Sequence, residues 1–278
     1  DGAFRAAERA GGDRMSAVTT IVNEGNRLAW YRRAASVSEY WDRHWEASPP
    51  AYVRNLTLPS WYRETLYRVL PRDERVVEAG CGNGVVVRAL RDRGFDVEGL
   101  DFAERTVEAN RSVDPAGSYR VGDVRSMPYE DGALGGIISF GVVEHFSDDD
   151  RSLILRETRR CLRPGGVAVI SVPFYSMLRR ARAAVGGFSR TADAGEFYQY
   201  AFSKRDFVGQ VETAGMRVEL VDAYGVRKGV KDTLGNTALF RAVFGASEQE
   251  RPRMDHPPRC LRLMASHMLL VVARAEGG

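Results

Sequence analysis

At 278 residues and 44% hydrophobic, the chain can bury one sizeable core, and a formal net charge of only +3 gives no ground for nucleic-acid binding, which needs charge clustered on one face. The cysteines Cys81, Cys161 and Cys260 lack C-x-x-C spacing, so neither a zinc site nor a disulfide framework is indicated, and the cytoplasm is the expected compartment. The longest apolar run, residues 268–273, is far shorter than the roughly 20 residues that cross a bilayer, so no integral membrane segment is expected.

Residues 1–35 read as an N-terminal extension, partly mobile, in which Met15 could mark the natural start. Residues 36–278 read as a single domain. Within it, residues 36–45 and 60–70 suggest two aromatic-rich helices. Tyr40, Trp41 and Trp45 of the first either cover a sheet or contact a ligand. Then the apolar run Val76-Val77-Glu78-Ala79 meets Gly80-Cys81-Gly82-Asn83-Gly84, followed by the helix-like Val85-Val86-Val87-Arg88-Ala89-Leu90. A strand, a glycine loop and a helix start in that order suit a nucleotide-like ligand, because glycine turns sharply and lets backbone approach what a Cβ would block. Dinucleotide-binding loops read G-x-G-x-x-G around a pyrophosphate. Here position 85 is Val and the spacing is G-x-G-x-G, which suits a ligand without that pyrophosphate.

A second short strand over residues 95–100 ends in Asp101, 17 positions past Gly84, near the offset at which such folds place a ribose-binding acid. Tyr119-Arg120-Val121 leads to Gly122-Asp123-Val124, an acid that could accept from an exocyclic amine. Residues 136–141 supply a fourth strand that closes on Phe140-Gly141. Leu162-Arg163-Pro164-Gly165-Gly166 reads as a turn into the buried strand of residues 167–172.

With these motifs in place, the chain resembles the class I S-adenosylmethionine-dependent methyltransferases, in their small-molecule branch. The resemblance is strong over residues 72–172 and weak elsewhere. It implies an α/β fold, a doubly wound, seven-stranded Rossmann-like methyltransferase sheet, mostly parallel with the last strand antiparallel, carrying N-terminal helices and a lid insertion. It also implies S-adenosylmethionine as cofactor, S-adenosylhomocysteine as its product, and a set of roles. Glu78 with Gly80, Cys81, Gly82, Asn83 and Gly84 would cradle the methionine part. Asp101 would hold the ribose hydroxyls, Phe102 would pack on the adenine, and Asp123 and Val124 would recognise its edge. Phe140 and Gly141 would line the passage where cofactor and acceptor meet.

The resemblance leaves the acceptor open. A small-molecule or lipid-linked acceptor, methylated on oxygen or nitrogen, is the foremost expectation. Nucleic acid is not expected, since no appended binding module and no Asn-Pro-Pro-Tyr tetrad is present. C-methylation in specialised metabolism and a cofactor-binding, non-catalytic partner subunit are the alternatives. A nicotinamide-dependent oxidoreductase is disfavoured by Val85 and Asp123. Methyl transfer from a sulfonium needs alignment more than activation and requires no metal. A hydroxyl or protonated amine acceptor would use a general base, for which His145, just past Gly141-Val142-Val143-Glu144, is the candidate. His145 and Glu144 could instead only organise the helix start beyond Ser147-Asp148-Asp149-Asp150.

Two cap or lid segments are expected, at about residues 174–200 and 224–260. Residues 176–185 suit a short amphipathic helix with Met177, Leu178, Ala181 and Val185 on its apolar side and Arg179, Arg180 and Arg182 opposite, either as a solvated face or against an anionic membrane or lipid phosphate. Tyr175, Tyr198 and Tyr200 could touch substrate. Ser203 should cap a helix that Gly215 stops, with a sixth strand over residues 217–223 and a last one from 268. Between these, Leu234, Leu239, Phe240, Val243 and Phe244 suggest a short helix, followed by a polar loop over residues 248–258.

Overall fold

A computed structural model describes residues 18–32, 41, 58–189, 196–235 and 257–277. In chain order its strands are Val18–Asn23 (β1), Arg27–Arg32 (β2), Val76–Ala79 (β3), Val97–Asp101 (β4), Ser118–Val121 (β5), Leu134–Phe140 (β6), Leu162–Pro173 (β7), Glu196–Phe202 (β8), Met216–Tyr224 (β9) and Met268–Ala275 (β10). The helices are Ser60–Val69 (α1), Val85–Arg91 (α2), Glu104–Val113 (α3), Asp148–Cys161 (α4), Met177–Ala184 (α5), Lys204–Thr213 (α6), Val226–Leu234 (α7) and Arg259–Ala265 (α8). A 3-10 turn occupies Val143–His145.

Seven strands form one sheet in the order β5-β4-β3-β6-β7-β10-β9. Its members are parallel except β10, which runs antiparallel to both β7 and β9. The central strands are apolar on both faces because helices cover both. Val77, Ile137, Ala168, Ile170 and Val271 point into a layer with Ile154 and Leu155 of α4 and Phe207 and Val211 of α6. Their neighbours Val76, Ile138, Val167, Val169 and Val272 point the other way, against Leu66 of α1, Val87 and Leu90 of α2 and Val107 of α3. Strand order reverses between β3 and β6, and in such sheets ligands bind past the strand ends beside that reversal.

Ser203 caps α6 by accepting from the Asp206 amide, as expected. Ser147 caps α4 by accepting from the Asp150 amide, so the three aspartates occupy the helix's first turn, where its dipole favours them. The expected turn at residues 162–166 lies within β7 as a bulge. Leu134 pairs with Leu162, but Gly136 already pairs with Val167.

Three expectations change. Residues 18–32, read as part of an extension, form an antiparallel hairpin whose β-branched run Val18-Thr19-Thr20-Ile21-Val22 pairs with Leu28-Ala29-Trp30-Tyr31 across a turn at Gly25 (φ 88°). The hairpin continues through β2 onto β8, giving a second sheet in the order β1-β2-β8. Leu28, Trp30, Tyr175 and Ala201 form its own small core.

On α5, Arg179 is not on a solvated face. It is buried, donates to the Phe174 carbonyl at 2.7 Å, and lies 3.5 Å from the Asp232 carboxylate of α7. These acceptors compensate its charge, so the apolar Met177 and Val185 turn outward instead, 61% and 84% exposed.

The insertion after β9 begins with α7 at residue 226, earlier than the helix expected around residues 234–244. Most of that expected helix, the polar loop over residues 248–256, and all of the helix expected at 36–45 except Trp41 lie outside the described residues.

Candidate functional site

The glycine loop leaves β3 with Gly80, Gly82 and Gly84 all at positive φ (81°, 48° and 68°), a backbone that side chains disfavour. Space is restricted as well. A Cβ on Gly80 would run into Val142 of the β6 exit, and one on Gly84 would lie 2.6 Å from Asn110 Oδ1.

Hydrogen bonds tie the loop to the end of β4. The amides of Gly80 and Cys81 donate to the Leu100 carbonyl at 2.7 and 3.0 Å, and the Gly82 amide donates to Asp101 Oδ2 at 2.8 Å. Asp101 Oδ1 accepts from the Ala103 amide at 3.0 Å. Asp101 is buried and thus shapes the loop through both of its carboxylate oxygens.

Beneath the loop, Arg88 donates to the Asn83 carbonyl at 2.7 Å and to Asn110 Oδ1 at 3.1 Å, and Asn110 Nδ2 donates to the Gly82 carbonyl at 2.7 Å. Sequence reasoning missed these two braces. The available signal was an asparagine on the inward face of α3, beside Thr106 and Val107, where an apolar residue would be ordinary.

Glu78, at the loop's root, is buried, and its Oε2 has no hydrogen-bond partner among the described residues. Burial pushes its carboxyl up to about 8, opposed by a backbone hydrogen bond at Val87. A buried carboxyl with one open oxygen beside a glycine cradle is a fitting receptor for a cationic or N–H-bearing group. Cys81 is a different case. Burial raises its thiol well above the usual range, so it remains protonated packing within the loop.

Around this cradle the other expected residues are distributed unequally. Phe102 exposes its ring at the β4 exit, 46% accessible, available to stack on a flat ligand. Val124 is buried. Asp123 follows β5, but Arg125 has claimed it: both carboxylate oxygens accept from that guanidinium at 2.7 to 3.1 Å, and Oδ1 also accepts from the Arg125 amide. That pairing lowers the Asp123 carboxyl below its ordinary range.

The β6 exit forms the opposite wall. Phe140 packs edge-on to Tyr62 of α1, centroids 5.2 Å apart, and Gly141 (φ 71°) donates to the Ser171 carbonyl. Four residues past Gly141, His145 sits beneath the small sheet. Its Nδ1 lies 2.8 Å from the Tyr198 carbonyl, an acceptor only, so Nδ1 carries a proton, and in the neutral ring Nε2 is the unprotonated nitrogen. Trp41 and Tyr198 stand edge-on to the imidazole with centroids 5.0 and 4.9 Å away.

The other tyrosines named as substrate contacts do other work. Tyr175 is buried in the small sheet's core. Tyr200 is gripped between the guanidinium groups of Arg27 and Arg151, 4.2 and 5.1 Å from its ring. Arg27 also forms a two-point pair with Asp148 at 2.6 and 2.9 Å, and Asp148 accepts again from the buried Arg151. The small sheet is thereby tied to the segment that carries His145. Sequence reasoning had no access to this small sheet, whose three strands come from two distant parts of the chain.

Comparison with known proteins follows the same boundaries. A family described as "Methyltransferase domain" matches residues 77–170, from β3 into β7. A probable S-adenosylmethionine-dependent methyltransferase of Mycolicibacterium smegmatis is 32% identical over 168 residues, 60% of this chain and 60% of that protein. The malonyl-[acyl-carrier protein] O-methyltransferase of Serratia marcescens is 37% identical over 98 residues, 35% of this chain and 38% of that one. The chain therefore spans less than two thirds of the length of the curated relatives it matches. Among solved structures, a SAM-dependent methyltransferase from Methanosarcina mazei superposes with a TM-score of 0.54 at 14% identity, covering 77% of this chain and 98% of that one. The [4+2]-cyclase SpnF superposes with a TM-score of 0.53 at 16% identity, covering 83% and 88%. These likenesses show the fold, and one fold serves proteins named for different reactions.

Proposed function

We propose, for a chain that belongs to the class I S-adenosylmethionine-dependent methyltransferases, that it transfers a methyl group to oxygen or nitrogen of a small-molecule or lipid-linked acceptor. The observation that carries this reading is the placing of the glycine cradle and His145 at one edge of the sheet, on the two strands flanking the order reversal.

The family's cofactor is S-adenosylmethionine, whose sulfonium supplies an electrophilic methyl group when bound. The cradle fits it. Glu78 would receive the methionine amine, Gly80 to Gly84 would lie along the methionine part, Asp101 would take the ribose hydroxyls, and Phe102 would cover the adenine. Asp123 would reach the adenine amine only by sharing its carboxylate with Arg125.

His145 would accept the proton from the acceptor's hydroxyl or amine through Nε2, since Nδ1–H is engaged by the Tyr198 carbonyl. The lid sheet would exclude water from that proton transfer, and Trp41 with Tyr198 would hold the imidazole in its plane. All three cysteines are free, which supports a cytoplasmic setting.

The test is transfer of labelled methyl from S-adenosylmethionine into a source-cell extract, fractionated into aqueous metabolites, lipid, RNA and protein. Label in metabolites or lipid is expected. Label confined to RNA or protein, or cofactor binding without any label, would replace this reading.

A further inference from the structure

Three helices crowd one corner of the molecule. Helix α5 leaves the end of β7, α7 leaves the end of β9, and α8 leads into the antiparallel β10, so all three stand at the sheet edge where β3, β4 and β6 end in the candidate site. Each packs on the other two. Their outward surfaces are unusual in two independent ways.

First, they are apolar. Met177 and Val185 at the ends of α5 are 61% and 84% exposed, Leu234 at the end of α7 is 49% exposed, and Leu261 and Met264 on α8 are 36% and 48% exposed. Soluble surfaces scatter such side chains singly, whereas here they gather on adjoining helices.

Second, they are basic. The three helices hold eight arginines and lysines against one carboxylate, Asp232, in a chain whose net charge is only +3. Asp232 is already held by Arg179 and Lys228. Arg180, Lys228, Lys231 and Arg259 are exposed, and no exposed carboxylate stands on these helices to answer them.

We propose that the outer face of α5, α7 and α8 docks on an anionic lipid bilayer. Met177, Val185, Leu261 and Met264 would enter the headgroup boundary while Arg180, Lys231 and Arg259 meet lipid phosphates. A polyanion such as RNA would use the charges but gain nothing from the exposed apolar groups; a bilayer uses both. Docking there brings the edge that carries Gly80, Asp101 and Gly141 toward the membrane surface, so an acceptor dissolved in lipid could be reached from it. That last consequence rests on the methyltransferase reading, but the docking itself does not.

Sedimentation of the full chain with vesicles tests the proposal, using phosphatidylcholine with and without phosphatidylglycerol. The protein should sediment with the anionic vesicles alone, and added salt should release it. Each basic residue near such a surface contributes about fivefold. Arg180→Glu with Lys231→Glu should therefore weaken binding by more than tenfold, and Met177→Asn with Val185→Asn by several-fold. All four positions are exposed, so unchanged thermal unfolding and S-adenosylhomocysteine affinity should accompany these losses. No sedimentation with anionic vesicles overturns the proposal, as does binding that both variants retain. Binding lost to charge reversal, unchanged in the apolar variant and competed away by heparin, marks a generic polyanion surface and overturns it too.

Discussion

Arg88 and Asn110 meet in the interior at 3.1 Å, and between them they hold the glycine loop from below, Arg88 through the Asn83 carbonyl and Asn110 through the Gly82 carbonyl. Both side chains are buried, so each serves as the other's replacement for water. The loop's curvature is thus imposed by helices α2 and α3 as well as by its own glycines.

Asn110→Ala should remove three buried hydrogen bonds, to Arg88, the Gly82 carbonyl and the Thr106 carbonyl, and leave Arg88 short of a partner, at a cost of about 2 kcal/mol in stability. It should also loosen S-adenosylhomocysteine binding, because Gly82 loses its anchor. Chemical denaturation and calorimetry on the same variant check both. A stable variant with unaltered affinity would mean that the loop holds its shape without this brace.

Asp101→Ala should weaken S-adenosylhomocysteine binding at least tenfold, about 1.4 kcal/mol. The structure supplies a second reason beyond lost ribose contacts, since the Gly82 and Ala103 amides both lose their acceptor. Adenosine with the ribose hydroxyls removed separates the two causes in binding measurements. If it loses affinity for the wild type but not for Asp101→Ala, the carboxylate contacts the ribose.

Glu78 governs a pH effect of definite sign. Its folded carboxyl stands near 8, above an unfolded value near 4.5, so the unfolded chain releases this proton first as pH rises. Stability from this residue is therefore greatest below the unfolded value and falls between pH 4.5 and 8. Glu78→Gln should gain melting temperature relative to the wild type on going from pH 5 to pH 8. A cationic amine arriving beside Glu78 favours its ionised form, so S-adenosylhomocysteine binding at pH 7 should release a proton. Calorimetry in buffers of different ionisation enthalpy reads that release, and a buffer-independent heat would remove Glu78 from the amine's vicinity.

His145→Ala should lower the turnover rate far more than cofactor affinity, by about 100-fold if the imidazole acts as general base. Steady-state rates at saturating acceptor decide it. An unchanged rate would leave His145 as a structural link between the 3-10 turn and the Tyr198 carbonyl.

The small sheet's attachment should yield to Asp148→Ala. Arg27 loses a two-point partner, the buried Arg151 loses its carboxylate, and stability should fall by about 2 kcal/mol. Hydrogen exchange should rise across β1, β2 and β8 before it rises in the seven-stranded sheet. Acid should act alike, since Arg27, foremost, holds the Asp148 carboxyl below its ordinary range and its contribution disappears as pH falls through that depressed value. Uniform exchange across both sheets would show that the small sheet is held elsewhere.

The central sheet was legible because its signals are local. A glycine triplet after a four-residue apolar strand, an acid ending the next strand and unbroken apolar runs such as Val167-Ala168-Val169-Ile170 each report a single element's surroundings. The chain positions of Glu78, the glycine loop, Asp101 and the β6 exit follow from those runs. What such signals omit is who answers a polar group. Asn110 reads as an ordinary helix residue until Gly82 is placed beside it, and Asp123 reads as free until Arg125 folds back on it.

From the amino-acid sequence alone came the sheet, its glycine loop, the resemblance to a methyltransferase family and the end of the strand beyond which His145 stands, because strand periodicity and glycine conformations are properties of short segments. Tertiary structure alone decided the small sheet and the corner helices. The small sheet joins residues 18–32 to residues 196–202 through pairings that no local pattern encodes. On α5, a helical period could not say which side faces in. The Phe174 carbonyl and Asp232, distant in sequence or hidden by the chain's turn, offered Arg179 a buried site and so sent Met177 and Val185 outward. A charge goes inside only where partners wait for it, and those partners are assembled by the fold.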